Sequence, residues 1–156
     1  MASSIRQNIM TAVVSALANI TTARGYQSSV KTCTESIKHW QEVGADQFPA
    51  LFPIDSDEAK ESFTFRGASA QDMKSTLTIV VTSYLYSRTG VTSGTRCDLL
   101  RDIEKAMMNA TAMTTISNVL DIRPVRVVTD QGTIENYSIH DSEFAIDYTY
   151  NHADGG

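Results

Sequence analysis

Positive charge is missing from the last thirty residues of this chain. Val127 to Gly156 carry six carboxylates (Asp130, Glu135, Asp141, Glu143, Asp147 and Asp154) and no Lys or Arg. Met1 to Arg126 hold 13 basic and 12 acidic residues, so the C-terminal end accounts for the whole of the net charge of −5 and slightly more. A protein that grips nucleic acid needs a basic stripe to displace counterions, and none is present. Cysteine is scarce as well. The two, Cys33 and Cys97, are too few and too unpatterned for a disulfide framework or a zinc site. A reducing compartment is the simpler setting. No apolar run is long enough to cross a bilayer, which argues against a membrane partner. What is present is ordinary: 42% hydrophobic and 20% charged residues, as in a globular domain. At 156 residues the chain is the size of one domain and can bury about 68–70% of its unfolded surface.

The first apolar pattern is helical. Ile5, Ile9, Ala12, Val13, Ala16, Leu17 and Ile20 fall on one stripe, with Asn8, Thr11, Ser15 and Asn19 opposite. The stretch loosely mimics a secretory leader, but a leader has no reason to be two-faced. Ser4 and Gln7 have capping-box spacing, and Arg24-Gly25 supplies an end signal. "SSVKTCTES" is β-prone and "IKHWQEVGADQ" is ambiguous. "FPALFPI" (48–54) reads as a short strand near an edge, because its prolines lack an N–H. "DSDEAKES" (55–62) reads as a solvated loop, "SFTF" as a returning strand and "RGASAQD" as its connection.

"STLTIVVTSYLYS" is the strongest strand. Leu77, Ile79, Val81 and Leu85 point one way, towards the core. Thr76, Thr78, Thr82, Tyr84 and Tyr86 point the other way with Val80 among them, a face suited to water or a neighbouring subunit. A helix is expected from about Thr95 to Asn109, burying Leu99, Leu100, Ile103, Ala106 and Met107, with Thr95 as its cap. Its charges pair as Asp98/Arg101, Arg101/Glu104 and Asp102/Lys105 on the exposed side. "VLDIRPVRVV" changes phase at Pro124, which implies a bulge or an edge. "TDQGT" is a turn, "IENYSI" and "EFAIDYTY" are strands, and residues 151–156 form a polar tail. The order α-β-β-β-β-α-β-β-β lacks regular βαβ alternation. It predicts a single α+β domain over residues 1–150, a mostly antiparallel sheet with two main helices packed on one face.

Candidate chemistry is thin. Gly90 and Gly94 precede a helix, but a phosphate loop needs Gly-x4-Gly-Lys-Ser/Thr and no Lys stands at that place. "HDSE" (His140, Asp141, Ser142, Glu143) reads as a solvated turn without a second ligand group for a metal. His39 beside Trp40 reads as half-buried structure, and His152 falls in the tail. Cys33 lacks a base and an orienter in sequence. Asp98 and Asp102 are explained as surface ion pairs. No catalytic residue, cofactor site or metal site emerges, so the chain is not expected to be an enzyme.

Four stretches together resemble a known family. They are the opening helix ending in "ARGY"; the Pro-flanked "FPALFPI" with its acidic sequel; the long strand leading through a Gly loop into "DLLRDIEKAM"; and the ending "VRVVTDQGTIENYSIHDSEFAIDYTY". In this pattern the chain resembles the tail terminator (tail completion) proteins of long-tailed bacteriophages over nearly its whole length. The resemblance implies a structural virion protein of the tail neck, made in the host cytoplasm. Such proteins form a six-fold homo-oligomeric ring on the tail tube protein, end tube polymerisation and offer a joining surface to the head connector. In contractile tails the ring can also meet the sheath protein, and DNA passes through without specific binding. No catalytic residues are carried over. Another neck protein at the head-tail joint, or a small-molecule-binding α+β domain, remains open from the residues alone.

Two sets of residues suit a ring. A head-to-tail ring needs two different surfaces per subunit. Thr78, Thr82, Tyr84, Tyr86, Arg88 and Arg96 are candidates for an assembly interface. The loops at 67–72 and 88–94 would order on a neighbour. Glu135, Asp141, Glu143 and Asp147 are candidates to face the channel or the next ring, where negative charge would keep DNA from sticking.

Overall fold

A computed structural model describes residues 3–62, 72–110, 113, 115–116 and 118–151. It contains two α-helices and a five-stranded sheet. The sheet is ordered β1-β2-β3-β5-β4, antiparallel throughout except for the short parallel pair β1–β2. In chain order the elements are α1 (Ile5–Ala18), β1 (Thr32–Cys33), β2 (Ala50–Ser62), β3 (Asp72–Tyr86), α2 (Ser93–Met108), β4 (Val119–Thr129) and β5 (Tyr137–Asn151). The α+β class, the antiparallel sheet and its two helices are as the sequence predicts.

The main core lies between the helices and one face of the sheet. Alternation in β3 and β5 puts Leu77, Ile79 and Val81 beside Phe144, Ile146 and Tyr148 on that face. Ile9, Val13 and Leu17 of α1 and Leu99, Ile103 and Met107 of α2 close over them. Each such side chain contributes about 1.5–3 kcal/mol when fully buried. Ser4 caps α1, its Oγ accepting from the Gln7 N–H at 3.2 Å.

Several boundaries differ from the reading of the sequence. Helix α1 stops at Ala18, and Arg24-Gly25 instead close a separate 3-10 turn in which Gly25 takes φ 83°. Helix α2 starts at Ser93, and its cap is Thr92, whose Oγ1 accepts from the Thr95 N–H at 3.3 Å. The ambiguous segment forms two 3-10 turns, Trp40–Glu42 and Ala45–Gln47. The acidic stretch 55–62 is no loop: it continues β2, with a register shift between Asp55 and Glu58. "IENYSI" and "EFAIDYTY" are not two strands, because residues 137–151 run unbroken through "HDSE". Pro124 does sit at a register shift in an edge strand. Asn151, expected in the tail, ends β5; the expected strand at Phe63 and Phe65, the connection at 67–71 and the tail from His152 on lie outside the described residues.

Candidate functional site

The sheet face turned away from the helices holds most of the predicted interface residues and predicted acids together. The register places Thr82 opposite Asp141, Val80 opposite Glu143 and Thr76 opposite Asp147, while β4 adds Arg126 opposite Glu143. Thr82 Oγ1 donates to Asp141 Oδ1 at 2.8 Å. Arg126 Nε donates to Glu143 Oε2 at 2.5 Å. Asp147 accepts from Arg123 Nη1 at 2.7 Å and from Thr76 Oγ1 at 2.6 Å, and Lys74 Nζ lies 3.8 Å away. Two of the four acids, Glu143 and Asp147, are thereby neutralised by cations of neighbouring strands. Asp141 and Glu135 remain exposed, the latter in the loop between β4 and β5.

One end of this face is already covered by the chain itself. Tyr84 is buried and donates its hydroxyl to the Lys38 carbonyl at 2.9 Å. Tyr86 packs against Phe48 and Tyr137, and Trp40 stacks on Tyr137. Val43, Ala50 and Phe52 complete this second, smaller core with Tyr84. The sequence puts Tyr84 and Tyr86 on the correct face. It does not reveal that residues 38–48 fold over them, and this corrects the expectation of a free Tyr surface there. Thr78, half-buried, lies beyond that cover. Arg88 is exposed in the loop after β3, and Arg96 is half-buried in the first turn of α2. These two do not share the Thr face.

Glu58 and Asp102, on the helix side, have their oxygens engaged by several donors. Glu58 accepts from Ser75 Oγ at 2.5 Å, from Arg6 Nη1 at 3.0 Å and from the Tyr148 hydroxyl. Burial pushes against its charge, but the hydrogen bonds from Ser75 and Tyr148, with Lys60 and Arg6 nearby, hold its carboxyl below the usual range. The Tyr148 hydroxyl is pushed up to about 12, by burial first and by its bond to Glu58 second. Asp102 is also turned inward, against the expectation of a surface pair. It accepts from the Gln27 and Ser28 N–H groups at 2.9 and 2.7 Å, while Arg101 meets Asp98 at 3.6 Å.

His140 is the residue whose setting differs most from its sequence reading. It lies within β5, 1% exposed, not in a solvated turn. Ser83 Oγ is 3.0 Å from its Nδ1 and Ser138 Oγ is 2.6 Å from its Nε2. Burial, aided by the charge of Arg96 and against Asp130 and Asp141, lowers its pKa to about 4. A serine beside a neutral histidine is the start of a nucleophile–base pair. Here Ser83 is wholly buried, both imidazole nitrogens are engaged by hydroxyls, and among the described residues no carboxylate orients the ring. The cluster satisfies buried polar groups and offers no substrate an approach.

A cleft of about 260 Å³ separates α2 from β4, lined by Leu100, Glu104, Pro124, Val127, Ser142 and Phe144 among others. Ser142 Oγ is buried without a hydrogen-bond partner. Among the described residues no group of three or more His, Cys, Asp or Glu could hold a metal ion. No described helix is long and apolar enough to cross a membrane. Set against known proteins, the chain matches no family model and no curated protein.

Proposed function

We propose that this chain is a structural virion protein that caps a bacteriophage tail tube as a homo-oligomeric, six-fold ring. In this reading it ends tube polymerisation and presents the joining surface for the head connector, with DNA passing through the centre. It has no turnover of its own and needs no cofactor. The observation that carries the reading is the four-part sequence pattern, which resembles tail terminator proteins over nearly the whole chain. The chemistry of the interior supports it. Groups that resemble catalytic parts are sealed or saturated: Ser83–His140 by burial, Glu58 by its donors and Asp102 by two backbone N–H groups. Cys33, half-buried, has its thiol pushed up to about 11 by burial, which suppresses the thiolate.

A small-molecule-binding domain is the alternative that one observation favours, the cleft between α2 and β4 with its unpartnered Ser142. That cleft, at about 260 Å³, is smaller than the roughly 300–1,000 Å³ of ordinary ligand sites, and two hollows along α1 of about 530 and 600 Å³ lie open at the surface, so the assembly reading is preferred. The test is to add purified chain to tail tubes growing from tube protein. Elongation should stop, and imaging should show a ring of copies at the end away from the tail tip. Tubes that lengthen unchanged and carry no ring would overturn it.

A further inference from the structure

The two edges of the sheet differ in chemistry. At one edge, β4 has no strand partner beyond β5 among the described residues. Leu120, Val125, Val127 and Val128 on it are 55%, 52%, 49% and 49% exposed. Only two other described residues, Ile37 and Met108, are comparably large, apolar and exposed. Free strand edges are ordinarily blunted by charge, proline or a bulge, because their unpaired N–H and C=O groups template pairing with another chain. Pro124 and the bulge beside it interrupt the middle of β4 and a second register shift lies at Leu120, which leaves Val127 and Val128 at its end unguarded. Arg126 is drawn onto Glu143 and Arg123 onto Asp147, away from guarding the edge. Val125 and Val127 stand beside the α2 cleft, whose buried Ser142 hydroxyl lacks a partner.

At the opposite edge, β1 covers only Ala50 and Leu51 of β2. From Phe52 onward the outer side of β2 pairs with none of the described residues. This free part carries Asp55, Asp57, Glu58 and Glu61 against Lys60, whereas β4 carries Arg123 and Arg126 against Asp121. By residue count one edge is acidic and the other weakly basic and apolar, although Arg6, Lys60 and Lys74 already reach Asp55, Glu58 and Glu61. Carried across the ladder, Arg123 is level with Ala145 and Thr78, and so with the bulged Ser56 and Asp57. Strand directions agree too. β2 runs antiparallel to β3, β3 to β5 and β5 to β4, so β4 and β2 run in opposite senses. Copies that keep one orientation would set β4 against the next β2 as an antiparallel pair.

We infer that β4 of one copy pairs edge to edge with β2 of the next copy, continuing the sheet from subunit to subunit. This rests on the ring reading above and names its contact. The pairing is head to tail, so each copy keeps one edge free for the next, and the array closes if the rotation allows. Pairing β4 with β4 would bring Arg123 and Arg126 of two copies together and end at a dimer.

The test mixes two populations of the full chain, each with one introduced cysteine, Leu120→Cys in one and Ala59→Cys in the other. Both have Cys97→Ser, since Cys97 is exposed; half-buried Cys33 stays. A short bismaleimide is added, and sedimentation of the same samples gives the assembled mass. The expected result is a covalent dimer in the mixture alone, lost when Val125→Glu, at an exposed edge position without a partner in β5, is introduced into the Leu120→Cys chain. Circular dichroism of that variant should match the parent. Self-cross-linking of Leu120→Cys would overturn the inference in favour of a two-fold β4 pair. A mixture that sediments as a ring without the cross-link would overturn the edge contact and leave the ring reading standing. A monomer without the cross-link also overturns the contact, while the ring itself is decided on tail tubes.

Discussion

Arg123 on β4 clasps Asp147 on β5, Nη1 2.7 Å from Oδ2 and Nη2 3.4 Å from Oδ1. Thr76 on β3 donates to the same carboxylate at 2.6 Å, so Asp147 ties three strands together on the face away from the helices. Glu58 ties α1, β2, β3 and β5 on the other face through Arg6, Ser75 and Tyr148. Both carboxyls are held below their usual range. At Asp147 the Arg123 hydrogen bond does this first, against burial and with help from Thr76. At Glu58 burial opposes the shift and the hydrogen bonds outweigh it.

Acid should therefore unfold the protein through these two residues. Each has a folded pKa below its unfolded value. Its contribution is present above the ordinary carboxylate value of about 4 and is lost as pH falls through the folded value. The urea midpoint should drop steeply below that pH. Glu58→Gln should cost about 1.5–3 kcal/mol at neutral pH, as for hydrogen bonds to a charged group, and Asp147→Asn should flatten the acid limb. An acid limb as steep in the double variant as in the wild type would assign the loss to other groups.

His140 should act in a separate, higher window. Its pKa is about 4 in the folded chain against 6.5 for the free side chain. The unfolded chain takes up its proton first, so stability falls as pH drops from 6.5 towards 4 and is unaffected above 6.5. The loss is at most roughly 3.4 kcal/mol, at 1.36 kcal/mol per pH unit. His140→Gln should be less stable at pH 7 yet lose the slope in this window. Midpoints measured between pH 7 and 4.5 decide it; an unchanged slope would rule out His140.

Much of this was legible in the residues. Alternation in 75–87 and 144–150 fixes the core face, and Ser4 marks the start of α1, because regular periodicity and a local cap are short-range signals. The strand at 55–62 was hidden by its acids, which read as solvated until Arg6, Ser75 and Tyr148 are brought to Glu58 from other elements. Long-range partners likewise hide the burial of Asp102 and His140. "HDSE" contains nothing apolar, so only the unbroken ladder with β3 reveals it as strand. The apolar edge of β4 was half visible. Pro124 marked an edge, but exposure of Val127 and Val128 depends on which strand lies beside them.

The start of α2 gives a local test. Thr92 Oγ1 accepts from the Thr95 N–H, and the Thr95 hydroxyl lies 3.0 Å from it. Thr92→Ala should cost about 0.5–2 kcal/mol, the usual loss for an N-cap. Thr95→Ala keeps the N–H and should stay within about 0.5 kcal/mol of wild type. Thermal melts of the two variants settle the order. ATP and GTP should raise neither melting temperature, since a ligand bound only to the folded state must stabilise it.

The acidic last thirty residues supply the test closest to function. Their four candidate acids are not equivalent. Asp147→Lys would set a third cation beside Arg123 and Lys74, and Glu143→Lys would face Arg126, so both should destabilise the sheet. Glu135 and Asp141 are exposed, and Asp141 is held only by the Thr82 hydroxyl. Glu135→Lys combined with Asp141→Lys should leave the melting temperature close to wild type. If this face meets the DNA path, the added cations would bind phosphates by displacing their counterions. Particles carrying the double variant should then assemble but release DNA more slowly, and higher salt should restore the rate. Release at the wild-type rate in low salt would leave these two carboxylates as a solvated surface with no part in DNA passage.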